Sequence, residues 1–413
     1  MDRIKVAAMQ VPPFSLSQQI NDLGSDLEQA VLDVLRSGQY IGGAKIQSFE
    51  QAFADNVGTR HAVGCNSGTD ALILALRALG IGPGDQVITC AFSFFATAEA
   101  ISSVGAEPVF VDADPDTYLI NLDQIEAAIT PATKALIPVH LFGRPVDMTR
   151  VMAIASAHGL RVIEDCAQAT GATWRDQAVG SFGDVGCFSF FPTKNLGAAG
   201  DAGAITTDDD GLAQTMRELA VHGMPQRYLH TALGYNSRLD ALQAAVLNVK
   251  LPLLGEWIDQ RRALAERYME LLANLPGITL PSDEDGHSWN QFVVRVSSCT
   301  KGESLCQSQC STSAISSRHG LPDSCCRDWL KQCLQDQGVS TIIYYPIPIH
   351  RQPAYAHLNL EAGSMPTTER LCTQVLSLPI FPELSELEQQ HVASALQQLL
   401  SGSVQATQAT MAA

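Results

Sequence analysis

The chain has 413 residues, 46% hydrophobic and 17% charged, which excludes a disordered or fibrous polymer and exceeds what one ordinary core accommodates. Its 26 basic residues stand against 43 acidic ones, a net charge of −17 that excludes non-specific nucleic-acid binding through dense Lys and Arg. No uncharged apolar run approaches the roughly 18 residues of a membrane span, and the charged start Met1-Asp2-Arg3-Ile4-Lys5 is unlike a signal peptide, so a cytoplasmic protein without membrane or nucleic-acid partners is expected.

In chain order, residues 1–25 read as an N-terminal arm and 26–255 as a large α/β domain. Within the latter, strand-like segments fall at 62–65, 86–89, 108–112, 135–140, 161–164, 186–190 and 203–206. Helical periodicity separates the early ones, at 69–79, 95–104, 122–129 and 148–158. Strands alternating with helices of this length predict a mixed, mostly parallel sheet covered on both faces. A long helical stretch at 240–275, kinked near Pro252, leads into a smaller C-terminal α+β domain over 256–400. There the pattern predicts strands at 291–296 and 339–344 and helices at 327–337, 367–375 and 384–400. A Ser-, Cys- and Gln-rich stretch at 297–324 reads as an insertion, and 401–413 as an unordered tail.

The first chemical motif is Gly64-Cys65-Asn66-Ser67-Gly68-Thr69-Asp70, between a short strand and a helix. Gly68 would let the backbone approach a ligand closely, and a helix N-terminus presents free N–H groups to a phosphate, with the Thr69 hydroxyl beside them. A simple helix cap by Ser67, Thr69 or Asp70 is the plainer alternative. Gly80-Ile81-Gly82-Pro83-Gly84-Asp85 follows a helix and precedes a strand, the reverse of a dinucleotide loop, and reads as a helix stop and turn. Phe94, just beyond the strand at 86–89, is placed either to stack on a planar ring or to pack in the core.

Two further segments belong together. Val162-Ile163-Glu164-Asp165-Cys166-Ala167-Gln168 is an apolar run closing on an acid, and Cys187-Phe188-Ser189-Phe190-Phe191-Pro192-Thr193-Lys194-Asn195 is an apolar run leading to a lysine. Alone, Asp165 would read as a cap or ion-pair member and Lys194 as a surface lysine. As a pair at strand ends they match pyridoxal-phosphate chemistry. Lysine bonds the cofactor's aldehyde, and an acid keeps the pyridine nitrogen protonated so that the ring accepts electrons. Burial among apolar flanks would lower the lysine pKa and suit it to nucleophile and proton-shuttle work.

With these motifs in place, the chain resembles the DegT/DnrJ/EryC1/StrS family of sugar aminotransferases, whose architecture is the aspartate-aminotransferase-like, fold-type I PLP-dependent α/β fold. Further residues carry the likeness: Gly38-Gln39-Tyr40-Ile41-Gly42, Ala106-Glu107-Pro108-Val109-Phe110-Val111-Asp112, Pro138-Val139-His140-Leu141-Phe142-Gly143, Gly234-Tyr235-Asn236-Ser237-Arg238-Leu239-Asp240 and Tyr345-Pro346-Ile347-Pro348-Ile349-His350. The resemblance covers most of residues 12–398, apart from the insertion. It implies that Lys194 holds pyridoxal 5'-phosphate and moves the substrate proton, that Asp165 pairs with the ring nitrogen, and that Phe94 stacks on the ring. Gln168 would lie near the ring face or its 3-hydroxyl, while Gly68, Thr69 and Ser189 would hold the phosphate. Asn236 would reach the phosphate of the neighbouring subunit, which implies a homodimer. Arg238 would be either a substrate-site residue or a structural partner, and Tyr345 and His350 would belong to the substrate side. The implied reaction moves an amino group from glutamate to the 3- or 4-keto carbon of a dTDP- or UDP-linked sugar, in amino-sugar or polysaccharide biosynthesis. A branch with histidine at the lysine position dehydrates instead, and Lys194 argues against it.

The eleven cysteines suggest no metal site. Cys65, Cys90, Cys166 and Cys187 sit singly in apolar segments, where buried thiols are ordinary. Cys299, Cys306, Cys310, Cys325, Cys326 and Cys333 lack two separated C-x₂-C pairs, so a surface loop is expected in preference to a zinc knuckle. Two other functions compete with the transferase: a non-catalytic cofactor-binding regulator of the same fold, and a nicotinamide-dependent reductase, which the missing glycine fingerprint disfavours.

Overall fold

The computed structural model of the protein describes residues 9–282, 284–297 and 325–411. Most of the insertion, with Cys299, Cys306 and Cys310, lies outside the described residues. Two helices come first, α1 (Ser17–Ser37), broken at Gly24, and α2 (Ala44–Val57). Strands and helices then alternate: β1 (His61–Cys65), α3 (Gly68–Ala78), β2 (Gln86–Cys90), α4 (Phe95–Ser103), β3 (Glu107–Val111), α5 (Ile125–Ala128), β4 (Thr133–Ile137), α6 (Met148–His158) and β5 (Arg161–Asp165). A short hairpin, β6 (Thr173–Trp174) and β7 (Gln177–Ala178), precedes β8 (Val185–Ser189), β9 (Gly203–Thr207) and α7 (Asp210–Leu219). Next come α8 (Ala241–Lys250), α9 (Leu254–Leu271), β10 (Ile278–Thr279) and β11 (Phe292–Val296). The remaining elements are α10 (Cys325–Asp336), α11 (Pro366–Gln374), β12 (Val375–Leu378) and α12 (Glu386–Met411).

Seven strands form one sheet in the order β1-β9-β8-β5-β4-β2-β3. Only β9 runs against its neighbours; the other pairings are parallel. Because β9 is reversed relative to both β1 and β8, the C-terminal ends of β1, β2, β4, β5 and β8 line a single edge. In open α/β sheets, that edge is where ligands bind. Alternation along each strand assigns the faces. Val87, Ile163 and Cys187 pack against Leu72 and Leu76 of α3, Ile101 of α4 and Met216 of α7. Their chain neighbours Ile88 and Val162 meet Met148 and Val151 of α6 on the opposite face. There Phe188 joins Phe49, Phe53, Phe190 and Leu247, under α2 and α8. Burial on both faces explains why these strands read as continuous apolar runs.

The smaller unit is built on the antiparallel sheet β10-β11-β12 and a core of Tyr268, Phe292, Leu330, Leu376 and Leu396. Val11 belongs to this core: its N–H donates to Gly338 O (2.8 Å) and its carbonyl accepts from Ser340 N–H (3.0 Å).

Three expectations differ in detail. The segment 339–344 is β-prone but changes partner midway, from Val11 to Ser377, and forms isolated bridges instead of a strand. Val375, expected to end a helix, begins β12, where it is fully buried against β11. The backbone of α12 continues past Leu400 across the segment read as a tail, where Gln405, Ala406, Gln408 and Ala409 favour helix. The break near Pro252 is a single 3₁₀ turn, Leu251–Leu253, between α8 and α9, with proline in its first turn. Among the described residues no helix is long and apolar enough to cross a membrane.

Candidate active site

Strand β5 ends on two buried acids, Glu164 at 0% exposure and Asp165 at 4%. Glu164 Oε1 accepts from the Phe182 and Gly183 N–H groups, both at 2.8 Å. Its Oε2 accepts from Gly180 N–H (2.8 Å) and faces His140 Nε2 (3.2 Å). His140 Nδ1 accepts from Val146 N–H (3.0 Å), so the ring hydrogen resides on Nε2 and is donated to Glu164. With Cys166, these residues form a group whose ligand atoms lie within 4.8 Å of one another. Glu164 and His140 are already engaged at every one of those ligand atoms, so the group is a hydrogen-bonded wall and a poor metal cage.

Asp165 leaves the strand on the other face. Its Oδ2 accepts from the Thr97 hydroxyl (2.8 Å) and its Oδ1 from Ala167 N–H (3.1 Å). Burial pushes the carboxyl pKa up, while the Thr97 bond, the Ala167 N–H and the charge of Lys194 pull it down. Lys194 sits in a turn after β8, closed by its own N–H to Phe191 O at 2.8 Å. The residue is partly exposed, but protein encloses its amine. Burial brings the ammonium pKa down to about 8, opposed by the Asp165 charge. Asn195 pins the turn by donating to Thr170 O (3.2 Å) and Ser288 O (3.1 Å), and Lys250 donates to Gly197 O at 2.8 Å.

The neighbouring strand end supplies a cradle. Ser67 caps α3 by accepting from Asp70 N–H (3.1 Å), which leaves Gly68 and Thr69 with N–H groups that lack partners inside the helix. A Cβ on Gly68 would lie 2.7 Å from Ser189 Cβ, so only glycine lets these two segments meet. Phe94 is the N-cap residue of α4 and 57% exposed, its ring centroid 5.9 Å from that of Tyr345. Gln168 is held at both ends: Oε1 accepts from Phe142 N–H (2.7 Å), and Nε2 donates to Tyr345 Oη (2.8 Å).

These contacts bring Lys194, Asp165, Gln168, Phe94 and Tyr345 together, with Gly68 against Ser189 and Thr69 next in α3. Asn236 is exposed, and its Oδ1 accepts from Arg238 Nη2, so among the described residues Arg238 pairs with an amide. His350 is 2% exposed, and its contacts run to Glu369 (Nε2 to Oε1, 3.2 Å) and the Phe110 ring instead of to Asp165 or Lys194. The sequence reading missed Thr97, Ser93, His140, Asn195 and Lys250 as contributors. Ser93 and Thr97 stand four apart at a helix start, a spacing that would have flagged a side-chain pair.

Comparison with known proteins shows what the whole chain is similar to. A Geobacillus stearothermophilus protein described as a pleiotropic regulatory protein is 44% identical over 388 residues, covering 93% of this chain and 97% of its own. A UDP-N-acetyl-3-dehydro-alpha-D-glucosamine 3-aminotransferase from Acidithiobacillus ferrooxidans is 45% identical over 394 residues, covering 95% and 98%. The crystal structure of S. venezuelae DesV in complex with a ketimine intermediate matches with a TM-score of 0.86 at 41% identity, covering 95% of this chain and 98% of that one. The DegT/DnrJ/EryC1/StrS aminotransferase family matches residues 21–319 and 308–397, and the chain belongs to that family.

Proposed function

We propose that the protein is a pyridoxal-phosphate-dependent aminotransferase that passes an amino group from glutamate to the 3-keto carbon of a UDP- or dTDP-linked sugar, for amino-sugar or polysaccharide synthesis. The carrying observation is the buried Asp165 carboxylate, fixed by Thr97 and Ala167 at the end of β5, with Lys194 in the turn that follows the adjacent strand β8. The preference for C3 over C4 rests on the activity named for the Acidithiobacillus relative.

The residues suit that cofactor. Pyridoxal phosphate supplies an aldehyde that bonds an amine and a cationic ring that accepts electrons. Lys194 Nζ, its pKa lowered to about 8, is unprotonated in part near neutrality and serves as the base that takes and returns the proton at the amine-bearing carbon. Asp165, held as a carboxylate by Thr97 and Ala167, keeps the proton on the ring nitrogen. The N–H groups of Gly68 and Thr69 at the start of α3, with the Ser189 hydroxyl, receive the phosphate. Phe94 offers a ring face and Gln168 an amide whose direction is fixed by Phe142 and Tyr345. Tyr345 and Arg238 are assigned to the substrate side. His350, from the same segment as Tyr345, is buried against Glu369.

The active unit is a homodimer in the cytoplasm, with Asn236 of each protomer reaching the other's phosphate site. Support for the dimer comes from the exposed apolar side chains near Asn236, Tyr228 at 80% and Leu233 at 86%, and from Tyr40 and Ile41. Unpaired buried thiols at Cys65, Cys90, Cys166, Cys187 and Cys372 suit a reducing compartment.

The test is product analysis with glutamate and a panel of nucleotide-linked 3-keto and 4-keto sugars. An aminated 3-position is expected; amination of 4-keto sugars alone would overturn the regiochemistry, and no amination of any would overturn the transferase reading. The regulator described from Geobacillus favours a second reading, a cofactor-binding protein without turnover. Adding glutamate to the loaded protein separates the two: a shift of the visible absorbance band marks turnover, and an unchanged band marks the regulator.

A further inference from the structure

Asp165 is anchored from a direction that the sequence motifs do not announce. Thr97 in the first turn of α4 is 1% exposed, and its hydroxyl lies 2.8 Å from Asp165 Oδ2. An ionised carboxylate only accepts, so the single Thr97 hydrogen is committed to Asp165. Ser93, 4% exposed, lies 3.0 Å from Thr97 Oγ1 and must therefore be the donor in that second bond. Hydrogens thus run one way, from Ser93 to Thr97 to Asp165. Ala167 N–H donates to the other carboxylate oxygen. Burial favours the neutral acid, and the bonds from Thr97 and Ala167 work against it by stabilising the charged, fixed form.

We propose that Thr97, itself directed by Ser93, is the positioning residue that holds Asp165 as an oriented carboxylate toward the ring nitrogen of the cofactor. This inference rests on the pyridoxal-phosphate reading above. Thr97 touches neither the ring nor the substrate in this account; it acts through Asp165. Its contribution is therefore specific to a ligand that carries a nitrogen at that ring position.

The experiment measures binding to apoprotein for pyridoxal phosphate and for its 1-deaza analogue, which has carbon in place of the ring nitrogen. Thr97→Val keeps the side-chain shape and removes the hydroxyl. It is expected to weaken pyridoxal phosphate by about tenfold or more, the scale of a hydrogen bond to a charged group, and to leave the deaza analogue within about twofold of wild type. Thr97→Ser restores the hydroxyl and is expected to bring binding back to within about threefold of wild type. Ser93→Ala is expected to give a smaller loss with the same selectivity, and it carries the test if the valine variant fails to fold. Equal losses for both ligands would mean packing alone, and no loss for either would mean no role; both results overturn the proposal. Wild-type protein that fails to bind pyridoxal phosphate would instead overturn the cofactor reading.

Discussion

Glu164 and Asp165 are chain neighbours that leave opposite faces of β5. Glu164 is closed by three backbone N–H groups and His140, Asp165 by Thr97 and one N–H. The first acid accepts everything around it and has no capacity left for a ligand. The second keeps lone pairs in reserve beside an enclosed lysine. Two identical charges on consecutive residues thus divide into a strut for the loop at 180–183 and a candidate partner for a cationic ring.

The strut predicts its own failure. Glu164→Gln replaces one accepting oxygen by an amide that faces backbone N–H groups. It should destabilise the fold by about 2–4 kcal/mol, the range for unpairing buried donors around a lost charge. Denaturant unfolding measures this, and a midpoint equal to wild type would contradict the assigned bonds.

Lys194→Ala should remove transamination while leaving the fold intact, with a loss of at least about a thousandfold because nucleophile and proton shuttle disappear together. Amino-sugar formation is the readout, checked against thermal melting. Turnover within about tenfold of wild type would count against Lys194 as the reacting amine.

Capture of pyridoxal phosphate by apoprotein requires the unprotonated amine. Its rate should therefore rise with pH through about 8, the lowered value of Lys194. The Asp165 charge raises that value against the pull of burial, so Asp165→Asn should move the midpoint to lower pH. Stopped-flow absorbance follows the profile; a rate that is flat on both sides of that value would remove the claim of a titrating lysine there.

At the cradle, Gly68→Ala places a methyl group 2.7 Å from Ser189 Cβ. The overlap should cost about 1–3 kcal/mol of stability and weaken retention of the cofactor during dialysis. Adding Ser189→Gly should relieve the clash and recover the stability, while retention stays poor for want of the Ser189 hydroxyl. A double variant that retains cofactor like wild type would exclude Ser189 from the phosphate site.

Asn236→Ala should loosen the cofactor through the dimer, and mixed dimers with the Lys194→Ala variant test this. In such a dimer, Lys194 of one protomer shares its site with the intact Asn236 that the other protomer contributes. That site should hold the cofactor more firmly than either site of the Asn236→Ala homodimer. Unchanged retention in every combination would remove the cross-subunit role.

Much of this was legible before any coordinates, for identifiable reasons. The strand ends carrying Asp165, Ser189 and Gly68 announced themselves because buried parallel strands are apolar runs and the chemistry follows each run immediately. Helices α1, α2 and α7 were passed over although Gly38 and Gly58 close the first two and Asp209 caps the third, because they stand outside the β/α alternation that guided the reading. The Thr97 bond was invisible in a different way: it joins residues 68 positions apart, and only the β2–β4–β5 packing brings α4 over Asp165. The bond between His350, which the resemblance put on the substrate side, and Glu369 inside the protein was equally hidden, since nothing in the Pro-rich segment announces it.

The clasp of Val11 on Gly338 and Ser340 has a bearing on synthesis. During translation the strand partner of Val11 emerges more than three hundred residues later, so the arm must wait, unpaired, while the large sheet assembles. The smaller unit therefore cannot close until residues 338–340 have been made, and a nick anywhere between those two stretches would leave its two halves joined by hydrogen bonds and a shared core without a covalent link.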